Sequence, residues 1–311
     1  MSNLCINHII QNDLTIIIRS VGENTENLLT KLLKSYGIPQ NNIFIVSLTP
    51  FFLALEESYK IGISNKLSWT LCLDADVLIS KKGLESLISF ALKQNKKVFE
   101  VQGYLYDKFF LCPRQVGNHM YRTKFLPLAL KLIPREIGVL RPEAATIVKM
   151  KKSGFNWRAL NETIGIHDFH QSYKDIYRKA FFFGLKHRKF KHYLLKRWKE
   201  CAKKDLDYTV AIDGFEKGYS LQNMNFHFSS DANLPAISES IGSFFDQKKE
   251  LNENIKIYTD NINEIMSFKC NEEVINSFIY SPNYFIYSYC FKHSKLRFAL
   301  YLLKYFYKKF L

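Results

Sequence analysis

The sequence has six cysteines (Cys5, Cys72, Cys112, Cys201, Cys270, Cys290) but no CxxC pair among them. Their scatter excludes a zinc module or a disulfide scaffold and leads us to expect a reducing compartment. No run of about 18 uncharged apolar residues occurs, so a membrane-spanning helix is not expected. Met1 to Asp13 has neither the basic start nor the apolar run of a secretory leader. Only 13 Gly and 8 Pro occur in 311 residues, which excludes a fibre or a long flexible linker. Acids are the scarce charge: 29 Asp and Glu stand against 44 Lys and Arg, for a net of +15.

What is present is an alternation of apolar strands and amphipathic helices. Leu14-Thr15-Ile16-Ile17-Ile18 reads as a buried strand running into the polar Arg19-Ser20-Val21-Gly22. A helix follows from Glu26 to Tyr36 and stops at Gly37 and Pro39. Ile43 to Leu48 reads as a second strand, and Thr49-Pro50 opens a helix with proline in the favoured first turn. Trp69 to Leu73 is a third strand, Leu84 to Gln94 a helix, and Lys97 to Gly103 a fourth strand. This alternation predicts an α/β fold with a mostly parallel sheet flanked by helices. Ligands of such sheets sit beyond the carboxyl ends of the strands. Arg19-Ser20 and Asp74-Ala75-Asp76 both fall at such ends, so one crevice can collect them.

Two carboxylates two residues apart in extended chain face the same way, so Asp74 and Asp76 are expected to share one ion. Their mutual repulsion calls for a cation between them, and Mg2+ or Mn2+ bridging to phosphate oxygens is the natural occupant. The strand before them, Trp-Thr-Leu-Cys-Leu, and the apolar Val77-Leu78-Ile79 after them set this pair apart from a solvated turn.

Strand, helix, strand, helix and then an apolar strand ending in Leu-Asp-Ala-Asp-Val resembles a glycosyltransferase of the GT-A fold (Rossmann-like), family 2 type. The resemblance covers roughly residues 13 to 170. It implies that Asp76 is a metal ligand and that Asp74 faces the metal or the ribose of a nucleotide-sugar donor. Glu143, which opens a probable helix at Arg141-Pro142-Glu143, stands where the family carries its general base, although Ala144 replaces the acid that usually follows. A base there implies direct displacement with inversion. His167, after Ile164-Gly165-Ile166, stands where family members complete the metal shell; His170 is the alternative, and Asp168 could fix the imidazole tautomer. The acidic loop that usually follows the second strand is missing. Nucleoside recognition is therefore expected from Arg19, Ser20 and Glu23, with stacking on Phe51. In the stretch where the fold lines the acceptor or diphosphate, Arg122 is expected to clamp phosphate and His119 to bond a sugar hydroxyl.

Charge is uneven along the rest of the chain. Between Lys174 and Lys204 twelve Lys or Arg meet only two acids, interleaved with Tyr, Phe and Trp198. From Asn283 to Leu311 there are eleven aromatics and six Lys or Arg, with no acid. On a helical wheel Arg297, Lys304 and Lys308 fall together, opposite a spread of Leu and Phe. Two cationic, aromatic segments suit an anionic membrane surface better than nucleic acid. The expectation is a catalytic domain over 13–170 and a helical, membrane-facing region over 171–311. Such a cytoplasmic enzyme, peripheral on the inner face of the membrane, would pass a sugar to a glycan or lipid-linked acceptor in surface polysaccharide assembly. The rival readings are a nucleotidyltransferase and a non-enzymatic basic binding protein.

Overall fold

The computed structural model describes residues 3–135, 139, 141–221 and 242. The elements run α1 (Asn3–Asn12), β1 (Leu14–Arg19), α2 (Glu26–Ser35), β2 (Ile43–Val46), α3 (Phe51–Asn65), β3 (Trp69–Asp74), β4 (Val77–Ile79) and α4 (Lys81–Leu92). After them come β5 (Val98–Asp107), β6 (Cys112–Arg114), β7 (Asn118–Arg122), α5 (Leu126–Leu132), α6 (Pro142–Lys152) and β8 (Asn156–His167). The helices α7 (Tyr173–Lys186), α8 (Lys191–Cys201) and α9 (Leu206–Ser220) complete the described chain.

Every residue of β1 is buried, which is why its sequence is mostly apolar (Leu14 and Ile16 to Ile18) rather than alternating. Leu14, Ile16 and Ile18 join the cluster formed with Leu28, Leu29, Leu32 and Leu33 of α2 and with Leu84, Leu87 and Ile88 of α4. Ile17 points the other way, into the cluster with Leu55 and Tyr59 of α3 and Met150 of α6. Leu71 and Leu73 of β3 divide from Cys72 in the same manner. The sheet is thus covered on both faces, and the expected α/β architecture is the one the chain adopts.

The strand order is β2-β1-β3-β7-β5-β8-β4, with β6 beside β5. Pairing is parallel for β1 with β2, β1 with β3, and β5 with β8. It is antiparallel where β7 enters between β3 and β5, and where β4 meets β8. The sheet is therefore mixed. The reversal arises in residues 104–122, whose weak periodicity hides two short strands. β8 was legible only at its apolar end, because Asn161 and Glu162 at its middle are exposed.

The basic segment folds back onto this sheet. Trp198 is fully buried and donates from Nε1 to the Phe109 carbonyl at 2.6 Å, while Tyr177 and Phe181 are also buried. Helices α7 and α9 meet backbone to backbone. A Cβ at Gly214 would lie 2.5 Å from the Tyr177 carbonyl oxygen, and one at Gly218 would lie 2.0 Å from that of Phe181. No larger residue permits this approach. The largest rings of 173–204 thus serve the core rather than a membrane surface. The tail 283–311 lies outside the described residues. Among the described residues no helix is long and apolar enough to cross a membrane.

Candidate active site

β3 ends at Asp74, and Ala75-Asp76 form a turn before β4. The extended geometry that would have aimed both carboxylates the same way is therefore broken between them. Asp74 turns to Arg19, whose Nη2 and Nε lie 2.8 and 2.9 Å from its Oδ1. Asp76 turns to the end of β8. The β4–β8 register places Val77 opposite His167, and the Asp168 amide donates to the Asp76 carbonyl at 3.2 Å. Neighbouring side chains of a strand diverge, but Asp168 takes a left-handed conformation (φ 61°) that swings its carboxylate beside His167.

One ligand atom each from Asp76, His167 and Asp168 lies within 4.8 Å of the other two, and all three residues are buried. His167 Nδ1 is 3.1 Å from Asp168 Oδ2 and 3.3 Å from Asp107 Oδ2, and Nε2 is 3.5 Å from Asp76 Oδ1. Asp76 Oδ1, His167 Nδ1 and Asp168 Oδ2 nevertheless make no hydrogen bond. Buried polar atoms left in this state are costly unless something else engages them. Two carboxylate oxygens and an imidazole nitrogen suit Mn2+ or Mg2+, so the residues fit the metal that the sequence implied.

Lys179 of α7 also enters this cluster. Ser172 caps that helix, accepting from the Asp175 amide at 3.1 Å. The Lys179 ammonium donates to Asp76 Oδ2 and, at 2.5 Å, to Asp168 Oδ1. Burial works against the charges of His167, Asp168 and Lys179, and their partners outweigh it. Asp168 and Asp76 raise the His167 imidazole well above its ordinary range, and His167 with Lys179 holds Asp168 well below the usual carboxylate range. Asp107 is likewise brought down to about 2 despite its burial, first by Arg114 at 2.6 Å and then by His167.

A second buried network is centred on Arg19, which also holds Asp74. Glu143 Oε1 accepts from Arg19 Nη1 at 2.9 Å and from the Tyr121 hydroxyl at 2.6 Å. Its Oε2 lies 2.9 Å from His119 Nε2, and His119 Nδ1 is 2.6 Å from Glu100 Oε1. Burial opposes the Glu143 charge, but Arg19 and His119 prevail and hold its carboxyl well below the usual range. Burial also opposes the His119 charge, but Glu143 and Glu100 raise it to about 9. A carboxylate so engaged takes up a proton poorly, which runs against the expected role of Glu143 as a base.

The remaining expected residues divide. Ser20 Oγ donates to Glu23 Oε2 at 3.0 Å, and the Val21 amide donates to the same oxygen at 2.7 Å, shaping the loop after β1. Phe51 is 41% exposed, with the Arg19 guanidinium 4.9 Å from its ring centre, so one ring face borders the site. His119 is buried against Glu100 and Glu143 rather than offered to a sugar. Arg122 does not reach the site. It pairs opposite Trp69 at the far end of β3, about 14 Å of strand from Asn118, which pairs beside the Asp74 end. There it donates to the Val98 and Gln94 carbonyls at 3.0 and 2.8 Å and covers the Trp69 ring. The sequence reading passed over Asp107 and Lys179. Asp107 ends an apolar strand as Asp74 does, and that was its available signal. Lys179 gave none within a run of surface cations.

No protein-family model matches the chain, and no curated protein matches it. Among solved structures, it is similar to a glycosyltransferase involved in glycosylation of the major capsid of PBCV-1, at 12% identity and a TM-score of 0.37, over 51% of this chain and 95% of that one. It is also similar to the mannosyltransferase PcManGT of Pyrobaculum calidifontis in complex with GDP-Man and Mn2+, at 10% identity and a TM-score of 0.37, over 67% and 73%. A third is 4-diphosphocytidyl-2C-methyl-D-erythritol synthase of Anaerococcus prevotii, at 12% identity and a TM-score of 0.37, over 55% and 93%.

Proposed function

We propose that this chain is a metal-dependent glycosyltransferase of the GT-A type that moves a sugar from a nucleotide-sugar donor. The observation that carries the proposal is the buried trio Asp76, His167 and Asp168 at the ends of β3 and β8, which bring one ligand atom each within 4.8 Å of the others and leave Asp76 Oδ1, His167 Nδ1 and Asp168 Oδ2 without a hydrogen bond. These three residues would hold the metal, Mn2+ above all because an imidazole stands beside two carboxylates. When bound, the metal supplies positive charge against the diphosphate that departs.

The chain's own groups would do the rest. The Ser20–Glu23 loop and the open face of Phe51 would receive the nucleoside, at the ends of the parallel strands where such ligands sit. Glu143, with both oxygens bonded, is assigned as the anchor of Arg19 and His119 rather than as a base. The acceptor we propose is a glycan or a lipid-linked sugar in surface polysaccharide assembly, met at the inner face of a membrane. The cationic stretch 174–204 and the tail 283–311 support that choice through their charge alone. Attack on an α-phosphate through two ions would need a second set of ligands. Among the described residues one group of three is found, which favours sugar transfer over nucleotidyl transfer.

The test is thermal stabilisation by a panel of nucleotide sugars with Mn2+. At least one member should raise Tm by about 5 °C near saturation, and Asp76→Asn should abolish that response while keeping the fold. A panel in which no member shifts Tm, with or without Mn2+, overturns the proposal.

A further inference from the structure

The metal reading above leaves Lys179 unexplained, and this inference rests on that reading. A divalent cation is expected where Asp76 and Asp168 converge, yet an ammonium already bridges them. Lys179 bonds one oxygen of each carboxylate, Asp76 Oδ2 and Asp168 Oδ1, and leaves the other oxygen of each, Asp76 Oδ1 and Asp168 Oδ2, without a hydrogen bond. The side chain is fixed from behind. Ser172 caps the start of its helix, and the close approach of Gly214 and Gly218 presses α7 against α9. Lys179 therefore reaches the cluster as a placed group, not as one of several interchangeable surface cations.

We propose that Lys179 is the resident counter-cation of this site, competing with the divalent metal for Asp76 and Asp168 and yielding its place when the metal enters. Two cations cannot share a pair of carboxylates this tightly without strong mutual repulsion, and burial removes the water that would screen it. Once displaced, the ammonium stays tethered to α7 at the rim of the site. It is then a point charge of the kind that binds phosphate oxygens, so metal entry and diphosphate capture become linked events.

The competition is electrostatic, so it is read by changing the charge of residue 179 and measuring Mn2+ binding, without nucleotide, by paramagnetic resonance titration. Lys179→Gln keeps a hydrogen-bond donor but removes the charge, and it should bind Mn2+ at least about tenfold more tightly than the parent chain. Lys179→Arg keeps the charge and should bind no more tightly than the parent. Tight binding by Lys179→Gln where the parent binds none at all would support the proposal most strongly. Equal or weaker binding by Lys179→Gln overturns it while leaving the metal site in place. No Mn2+ binding by any of the three proteins overturns the metal reading and this proposal together. Should Lys179→Gln fail to fold in chelator, Mn2+ should restore its folding, because the metal then supplies the missing positive charge; failure of Mn2+ to do so overturns the proposal.

Discussion

Arg19 Nη1 lies 2.9 Å from Glu143 Oε1 across 124 residues of sequence, and the same guanidinium holds Asp74 at 2.8 Å. This one side chain therefore joins the acid that opens α6 to the acid that ends β3. Removing Glu143 would leave Arg19 and His119 as buried cations with a shared partner missing. Glu143→Ala should cost about 3 to 5 kcal/mol in urea unfolding. Glu143→Gln should cost less, since its amide oxygen still accepts from Tyr121. A free general base would behave otherwise: Glu143→Gln would lose transfer with no loss of stability.

His119 gives the stability a definite pH dependence. Its folded pKa of about 9 stands above the ordinary 6.5, so its contribution is fully present below pH 6.5 and is lost as pH rises toward 9. The total is roughly 3 kcal/mol. Urea midpoints at pH 6, 7.5 and 9 should fall in that order, and His119→Gln should flatten the decline.

Arg122 should matter for folding and not for donor binding. Arg122→Ala loses bonds to the Val98 and Gln94 carbonyls and the contact over Trp69. We expect a loss of about 1 to 3 kcal/mol in stability, with nucleotide-sugar affinity unchanged in calorimetry. A large drop in affinity at full folding would restore Arg122 as a phosphate clamp.

Gly218 tests whether the α7–α9 contact places Lys179. A methyl group there would meet the Phe181 carbonyl at 2.0 Å, so the helices must separate. Gly218→Ala should cost about 1 to 3 kcal/mol. It should also tighten Mn2+ binding in the direction of Lys179→Gln, because α7 would carry Lys179 away from Asp76.

The sequence was most readable where burial on both faces made it almost wholly apolar. β1 and β3, covered on both faces, stand out as apolar runs with Arg19 and Asp74 at their carboxyl ends, but the sequence was read as extended from Asp74 to Asp76 where the structure has a turn. It was least readable where pairing is remote. The direction of Asp74 depends on β3 stopping one residue before Ala75, which no local signal marks. Asp168 enters the cluster through a left-handed turn at the end of β8, a strand whose first half looks like loop. Arg122 lies between candidate residues in the chain yet at the opposite end of β3 in space. Lys179 could not be told from its charged neighbours until glycines of α9, some 35 residues later, fixed which way its helix faces.

The central claim is that Asp76, His167 and Asp168, and not the Asp74–Asp76 pair, hold the divalent metal. Anomalous diffraction at the manganese edge, from crystals grown with Mn2+ and a nucleoside diphosphate, tests it most directly. The account predicts one peak bounded by Asp76, His167 and Asp168, with Lys179 moved off both carboxylates. A peak between Asp74 and Asp76, or no peak at the trio, would contradict it.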